Sequence, residues 1–120
     1  MSSGSYRDLI VWQKSYKLVL LIYSITKKFP REEVFGLTSQ IRRAAVSIPS
    51  NIAEGNTRLS KKDHVQFIRI AYGSGAELET QLSLAKDLEY ISEKDYTRVY
   101  EALEEIMRML NALILSLSKI

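Results

Sequence analysis

From Tyr96 to Leu117 the apolar residues recur at alternating steps of three and four: Tyr96, Val99, Leu103, Ile106, Leu110, Leu113 and Leu117. A seam of that period, kept over three heptads, belongs to a helix packed along its whole length against other helices. Three further segments carry the same period. In the first, from about Tyr6 to Phe29, Leu9, Trp12, Tyr16, Val19 and Tyr23 run beside a second row of Leu18, Ile22, Ile25 and Phe29. That arc is wide enough for packing on more than one side. Pro30 closes the segment, because the residue before a proline is pushed out of helical geometry. Leu37, Ile41, Ala44, Ile48 and Ile52 form the stripe of the second, which is expected to end at Glu54-Gly55-Asn56 with Gly55 in a left-handed turn. Ser60 with Asp63, and Ser92 with Asp95, are serine caps with an acid three residues on, and they open the third and fourth segments. Ile68, Ala71, Gly75, Leu78, Leu82 and Ala85 are the seam of the third.

No β-type alternation competes with these patterns, and five glycines and two prolines in 120 residues leave few turns for an all-β fold. Short connections make neighbouring helices antiparallel. The expectation is an all-α domain over residues 6–120, an antiparallel up-down-up-down four-helix bundle. Residues 1–5, Met-Ser-Ser-Gly-Ser, are expected to lie outside it as a disordered or vector-derived start. Cysteine is absent, so disulfides and thiolate metal sites are excluded, in keeping with a reducing cytoplasm. The longest apolar run, Leu18 to Tyr23, is far shorter than the ~20 residues that span a bilayer, so no membrane is expected.

The second segment breaks the rules of a bundle helix. Pro49 in its interior removes one backbone hydrogen bond and crowds the Ala45 carbonyl, at about 3 kcal/mol if unrelieved. The small residues around it predict a kink and a close approach to a neighbour, with Gly73 and Gly75 of the third segment as the expected partners and serine hydroxyls satisfying the freed carbonyl. Polar residues accompany the break. Arg43, Ser47, Ser50 and Glu54 share one stripe, with Arg42 and Asn51 beside it, and Glu77 and Gln81 share another on the third segment. Arg42 or Arg43 is expected to pair with Glu77 in a structural polar network that fixes register, or else in a ligand site.

Most bundle chemistry is excluded. A di-iron centre needs two Glu-x-x-His motifs, and His64 is the only histidine. No His/Met haem spacing, phosphate-binding glycine loop or nucleophile triad is present, so no cofactor, no metal and no catalytic residue is assigned. Arg58 and His64 do resemble the Arg…His pair of helical RNases of the HEPN superfamily, although that pair usually sits near the last helices and here opens the third.

Charge is distributed unevenly. Residues 1–60 hold nine Lys/Arg against four Asp/Glu, and residues 61–120 eight against ten. The asymmetry predicts a polyanion partner or head-to-tail contact between copies. Lys14, Lys17, Lys27, Lys28, Arg31, Arg58, Lys61 and Lys62 are the candidate nucleic-acid contacts. No stacking aromatics interleave them, so binding is expected to be salt-sensitive and tolerant of sequence.

Tyr6-Arg7-Asp8-Leu9 with Trp12-Gln13-Lys14, the stretch from Phe35-Gly36-Leu37-Thr38 through Arg42-Arg43-Ala44-Ala45 and Ile48-Pro49-Ser50-Asn51 to Glu54-Gly55, and Gly75-Ala76-Glu77-Leu78-Glu79-Thr80-Gln81-Leu82 together resemble the four-helix bundle proteins encoded in intervening sequences of bacterial 23S ribosomal RNA genes. The resemblance covers nearly the whole chain. It implies a ring-like homo-oligomer, a pentamer, without established enzymatic activity. It also implies similarity to the accessory proteins of diversity-generating retroelements, basic pentameric bundles that bind nucleic acid and a reverse transcriptase. From the residues themselves, Tyr100, Met107 and Ile114 on one side of the fourth seam, with Ala102 and Met109 on the other, form too wide an arc for one core and predict a subunit interface. The leading expectation is a non-enzymatic oligomeric scaffold or adaptor that binds RNA or DNA. The alternative is a protein-protein assembly module whose partner is encoded nearby.

Overall fold

A computed structural model of the chain describes residues 5–119. A single 3-10 turn, Tyr6–Asp8, leads into α1 (Ile10–Thr26), and a second, Arg31–Glu33, into α2 (Leu37–Asn56). Then come α3 (Lys61–Asp87) and α4 (Glu93–Ser118), and no strand occurs among the described residues. Each helix touches its two neighbours around a square, while the diagonal pairs α1/α3 and α2/α4 stay apart. Cross-helix contacts fit an antiparallel up-down order. Lys14 meets Glu105 and Lys28 meets Asp95 between α1 and α4, Ser47 meets Ser74 between α2 and α3, and Arg42 reaches back to Thr26 of α1. The bundle is 46 Å along its longest dimension.

Local chemistry explains the helix starts. Ser60 Oγ accepts the Asp63 N–H at 3.1 Å and Ser92 Oγ accepts the Asp95 N–H at 3.1 Å, each with an acid in the positive first turn. No side chain of its own caps α2. Glu33 does so from the preceding turn, its Oε1 accepting the Leu37 N–H at 3.0 Å while its Oε2 accepts the Tyr90 hydroxyl at 3.0 Å. One carboxylate thus ties the start of α2 to the α3–α4 connection. Glu89 in that connection has φ 64°, the left-handed conformation that usually calls for glycine.

The core is built from the expected seams. Ile22, Ile41, Ile48, Ile52, Ile68, Leu78, Val99, Leu103, Ile106 and Leu110 are all buried. Several expectations are corrected. The first helix does not begin at Tyr6, because Leu9 is extended and breaks it from the turn before. It ends at Thr26, not Phe29, although Phe29 still packs on Tyr90 with ring centroids 5.8 Å apart. On the wide arc of α4, Ile114 is buried, Ala102, Met107 and Met109 pack partly buried against the core, and Tyr100 stacks on Tyr96 with ring centroids 5.9 Å apart. Uncovered apolar side chains include Tyr16 and Leu20 on α1, Val46 on α2 and Leu115 on α4. The expectation for the first five residues lies outside the described residues except at Ser5, whose hydroxyl accepts the Arg7 N–H at 3.2 Å.

The glycines separate by surroundings. Gly55 is helical and buried rather than a left-handed terminus; a Cβ there would stand 2.9 Å from Phe67 Cβ and 3.1 Å from the His64 carbonyl. It is the contact that lets α2 and α3 converge. Gly75 faces Met107 of α4, not α2, and Gly73 has open space around it. Gly73→Ala is therefore expected to stabilise by about 0.5–1 kcal/mol through helix propensity. Gly55→Ala is expected to destabilise by about 1–3 kcal/mol through overpacking. Urea denaturation of both variants checks the pair, and equal shifts of one sign would contradict the assignment.

Candidate nucleic-acid interface and polar groove

The eight candidate cations do not form one patch. Lys27, Lys28 and Arg31 lie at the end of the bundle where α1 turns into α2, and Arg58, Lys61 and Lys62 lie at the opposite end, where α2 turns into α3. Lys14 and Lys17 sit between, beside a shallow groove lined by Leu18 and Leu21 of α1 and Ala102 and Ile106 of α4. Seven of the eight are exposed and Lys14 is half-buried. Lys14, Lys28 and Arg58 make ion pairs with Glu105, Asp95 and Glu54 at 3.3, 3.3 and 2.8 Å. Exposed pairs of this kind contribute at most about 1 kcal/mol, so a phosphate can exchange with the carboxylate. Lys17, Lys27, Arg31, Lys61 and Lys62 make no ion pair with any described residue.

The polar residues of α2 and α3 divide into three groups. Ser47 Oγ and Ser74 Oγ are 2.8 Å apart across the two helices, and the Asn51 amide donates to Ser47 Oγ at 2.9 Å and to the Ser47 carbonyl at 2.8 Å. Arg42 turns the other way. Its Nε donates to Thr26 Oγ1 at 2.8 Å and its guanidinium lies 4.5 Å over the Tyr23 ring. The expected Arg42 or Arg43 pairing with Glu77 is thus corrected: Arg42 serves α1, and Arg43 and Glu77 are both exposed and make no ion pair with any described residue. They line one open groove of about 360 Å³ between α2 and α3, together with the Ser47–Ser74 pair and Phe35. Glu54 is exposed on its bond to Arg58, and Ser50 lines a separate groove; among the described residues no serine hydroxyl bonds the Ala45 carbonyl. Gln81 is buried, and its Oε1 has no hydrogen-bond partner among the described residues.

Between α1 and α2 lies a second groove, apolar and about 420 Å³, lined by Trp12, Tyr16, Leu20, Val46, Pro49 and Ala53 among others. The aromatic run Tyr6, Trp12, Tyr16 forms one wall, with successive centroids 5.2 and 5.1 Å apart and Arg7 over the first two rings. The Pro49 region therefore faces α1, where small side chains leave room, rather than the glycines of α3. Exposed aromatic surface is the feature that sequence reasoning missed. Phe35 is 96% exposed, and only its place beside Gly36, next to a helix start, pointed that way.

Of the Arg58–His64 pair, Arg58 is exposed on its bond to Glu54 and lies 4.5 Å over the Phe67 ring, whereas His64 Nε2 is enclosed with no partner among the described residues. Burial pushes the imidazole below its ordinary 6.5. An unfolded chain takes up that proton near pH 6.5 while the folded one resists, so stability falls as pH drops from 6.5 toward the lowered folded value and is unaffected above. The melting temperature is expected to fall more between pH 7.5 and 5.5 for the wild-type chain than for His64→Gln. Parallel curves would contradict this placement of His64. Among the described residues no group of three His, Asp or Glu side chains is placed to hold a metal, and no helix is long and apolar enough to cross a membrane.

No curated protein sequence matches the chain. A solved structure of a protein of unknown function from the S23 ribosomal protein family of Bacteroides thetaiotaomicron VPI-5482 superposes with a TM-score of 0.82 at 29% identity, over 88% of this chain and 98% of that one. The family model described as 23S rRNA-intervening sequence protein matches residues 7–112, nearly the whole bundle. The chain belongs to the 23S rRNA-intervening sequence protein family.

Proposed function

We propose that this antiparallel up-down-up-down bundle is a non-enzymatic, cytoplasmic scaffold that assembles with copies of itself, as the pentameric resemblance implies, and holds nucleic acid by its phosphates. The observation that carries this reading is the exposure of the cations: seven of eight lie open to solvent, and five make no ion pair with any described residue. A single subunit carries a formal charge of only +3. A ring multiplies that field, and counterion release from a neutralised strand then supplies affinity without reading bases. Assembly is supported by the apolar groove between α1 and α2, where Tyr16, Leu20 and Val46 stay uncovered. An electrophoretic shift assay with single-stranded RNA and duplex DNA at ~50 mM salt tests the reading. Retarded bands that fade as salt rises are expected, and no retardation of either probe would end it.

A second reading is favoured by the same groove. Pro49 and the aromatic wall opposite it could seat a protein encoded nearby, with no part played by nucleic acid. Co-purification with the product of a neighbouring gene, together with a failed shift assay, would select it.

A further inference from the structure

The groove between α2 and α3 holds chemistry that lies apart from the eight candidate cations. Arg43 and Glu77 line it with opposite charges, yet neither makes an ion pair or a side-chain hydrogen bond with any described residue. Phe35 stands at the same groove 96% exposed, an aromatic face with nothing upon it. The Ser47–Ser74 hydroxyl pair crosses the groove at 2.8 Å; with Asn51 already donating to Ser47 Oγ, one serine proton is left for a ligand. A cation, an anion and a bare ring along one open groove of about 360 Å³ match a ligand carrying all three complements at once. A free amino acid with an aliphatic side chain would satisfy the two charges and bring no ring to stack on Phe35. A nucleotide satisfies all three.

We propose that this groove takes one unpaired guanine nucleotide of a single-stranded RNA, with Phe35 stacking on the base, Glu77 accepting from its edge and Arg43 pairing with its phosphate. The inference rests on the nucleic-acid reading above and adds a base preference to it. Guanine presents two N–H donors side by side, N1–H and N2–H, which the two oxygens of one carboxylate accept together. Adenine and cytosine each offer one donor beside an acceptor, and uracil one donor between two carbonyls, so each sets an acceptor against a carboxylate oxygen. Single-stranded RNA is read in this way, by stacking on aromatic rings and bonding along exposed base edges. Arg supplies the planar, always-charged fork suited to phosphate. The connection that ends at Phe35 also carries Lys27, Lys28 and Arg31, so a strand held on those cations passes the mouth of the groove.

Fluorescence anisotropy with 12-nucleotide oligouridine strands, one bearing a single central guanine and the other a single central adenine, tests this at ~50 mM salt. The full chain is expected to bind the guanine strand about tenfold more tightly. Glu77→Gln, whose amide offers one acceptor and one clashing donor, is expected to abolish the difference. Phe35→Ala is expected to weaken the guanine strand severalfold with no change in melting temperature, since the ring is exposed. Lys61→Gln with Lys62→Gln should weaken both strands equally and keep their ratio. Equal affinity for the two strands, or a preference that survives Glu77→Gln, would overturn the proposal. Should neither strand bind, the phosphate reading fails, and titration with guanosine 5′-monophosphate still decides the groove: amide shifts at Phe35, Ser47 and Ser74 that adenosine 5′-monophosphate does not produce support it, and their absence overturns it.

Discussion

Replacing Ile48 by alanine is expected to cost the fold about 3–4 kcal/mol and to lower the melting temperature by roughly 15 °C. Ile48 is fully enclosed, one turn from Ala44 and Ile52 on the stripe that α2 presents to the core. The position precedes Pro49, where the helix already lacks one backbone hydrogen bond, so the cavity left by three lost carbons cannot be closed cheaply by a shift of backbone. A typical domain has only about 5–15 kcal/mol in hand, and such a loss is a large part of it. Leu115→Ala on α4, at a side chain 60% exposed, is the internal control and should change stability by less than about 0.5 kcal/mol. Urea denaturation with an unchanged slope measures both. A loss below about 1 kcal/mol at Ile48 would mean that α2 does not pack as described.

The other large effect is electrostatic. Neutralising Arg58, Lys61 and Lys62 together to glutamine is expected to weaken single-stranded RNA binding about a hundredfold at ~50 mM salt and to reduce the slope of log affinity against log salt by about two. These three share the connection between α2 and α3, and two of them have no ion-pair partner among the described residues. Arg58 leaves Glu54 on mutation, but an exposed pair contributes little, so the fold should hold. Neutralising Lys27, Lys28 and Arg31 at the opposite end, in a separate variant, shows whether one end or both contact the strand. An unchanged salt slope in both variants would place the phosphate contacts elsewhere.

Helix existence and the core faces were legible because each rests on a periodic signal. The Ser60 and Ser92 caps form the hydrogen bonds that their spacing implies, and the α3 and α4 seams are buried through Ala85 and Leu110. What was illegible depended on partners distant in sequence. Arg42 has Thr26 and the Tyr23 ring within reach on α1, a choice that no pattern within α2 reveals. Gly55 read as a helix end because glycine favours such ends, yet the approach of His64 and Phe67 requires it to lack a side chain. Glu33 caps α2 from outside the helix, and Glu89 takes a left-handed conformation without being glycine or asparagine; neither departure has a local motif. How far the wide apolar arc of α4 is covered was illegible for a related reason: Ala102, Met107 and Met109 are partly buried against the core, which depends on neighbours distant in sequence.

The candidate site was half legible. Composition and charge named the exposed cations, but their division between the two ends of the bundle needed the antiparallel order of the helices. Arg43, Ser47 and Glu77 were read together as a structural polar network or else a ligand site. In the folded chain they border an open groove, with the network reduced to Ser47, Asn51 and Ser74.

Solution mass with and without RNA shows whether this chain forms an assembly that carries nucleic acid. Light scattering on the eluting protein is expected to give a multiple of the 13.8 kDa subunit, and RNA at ~50 mM salt to elute with that species and raise its mass. A 13.8 kDa monomer from which the RNA elutes separately would contradict it.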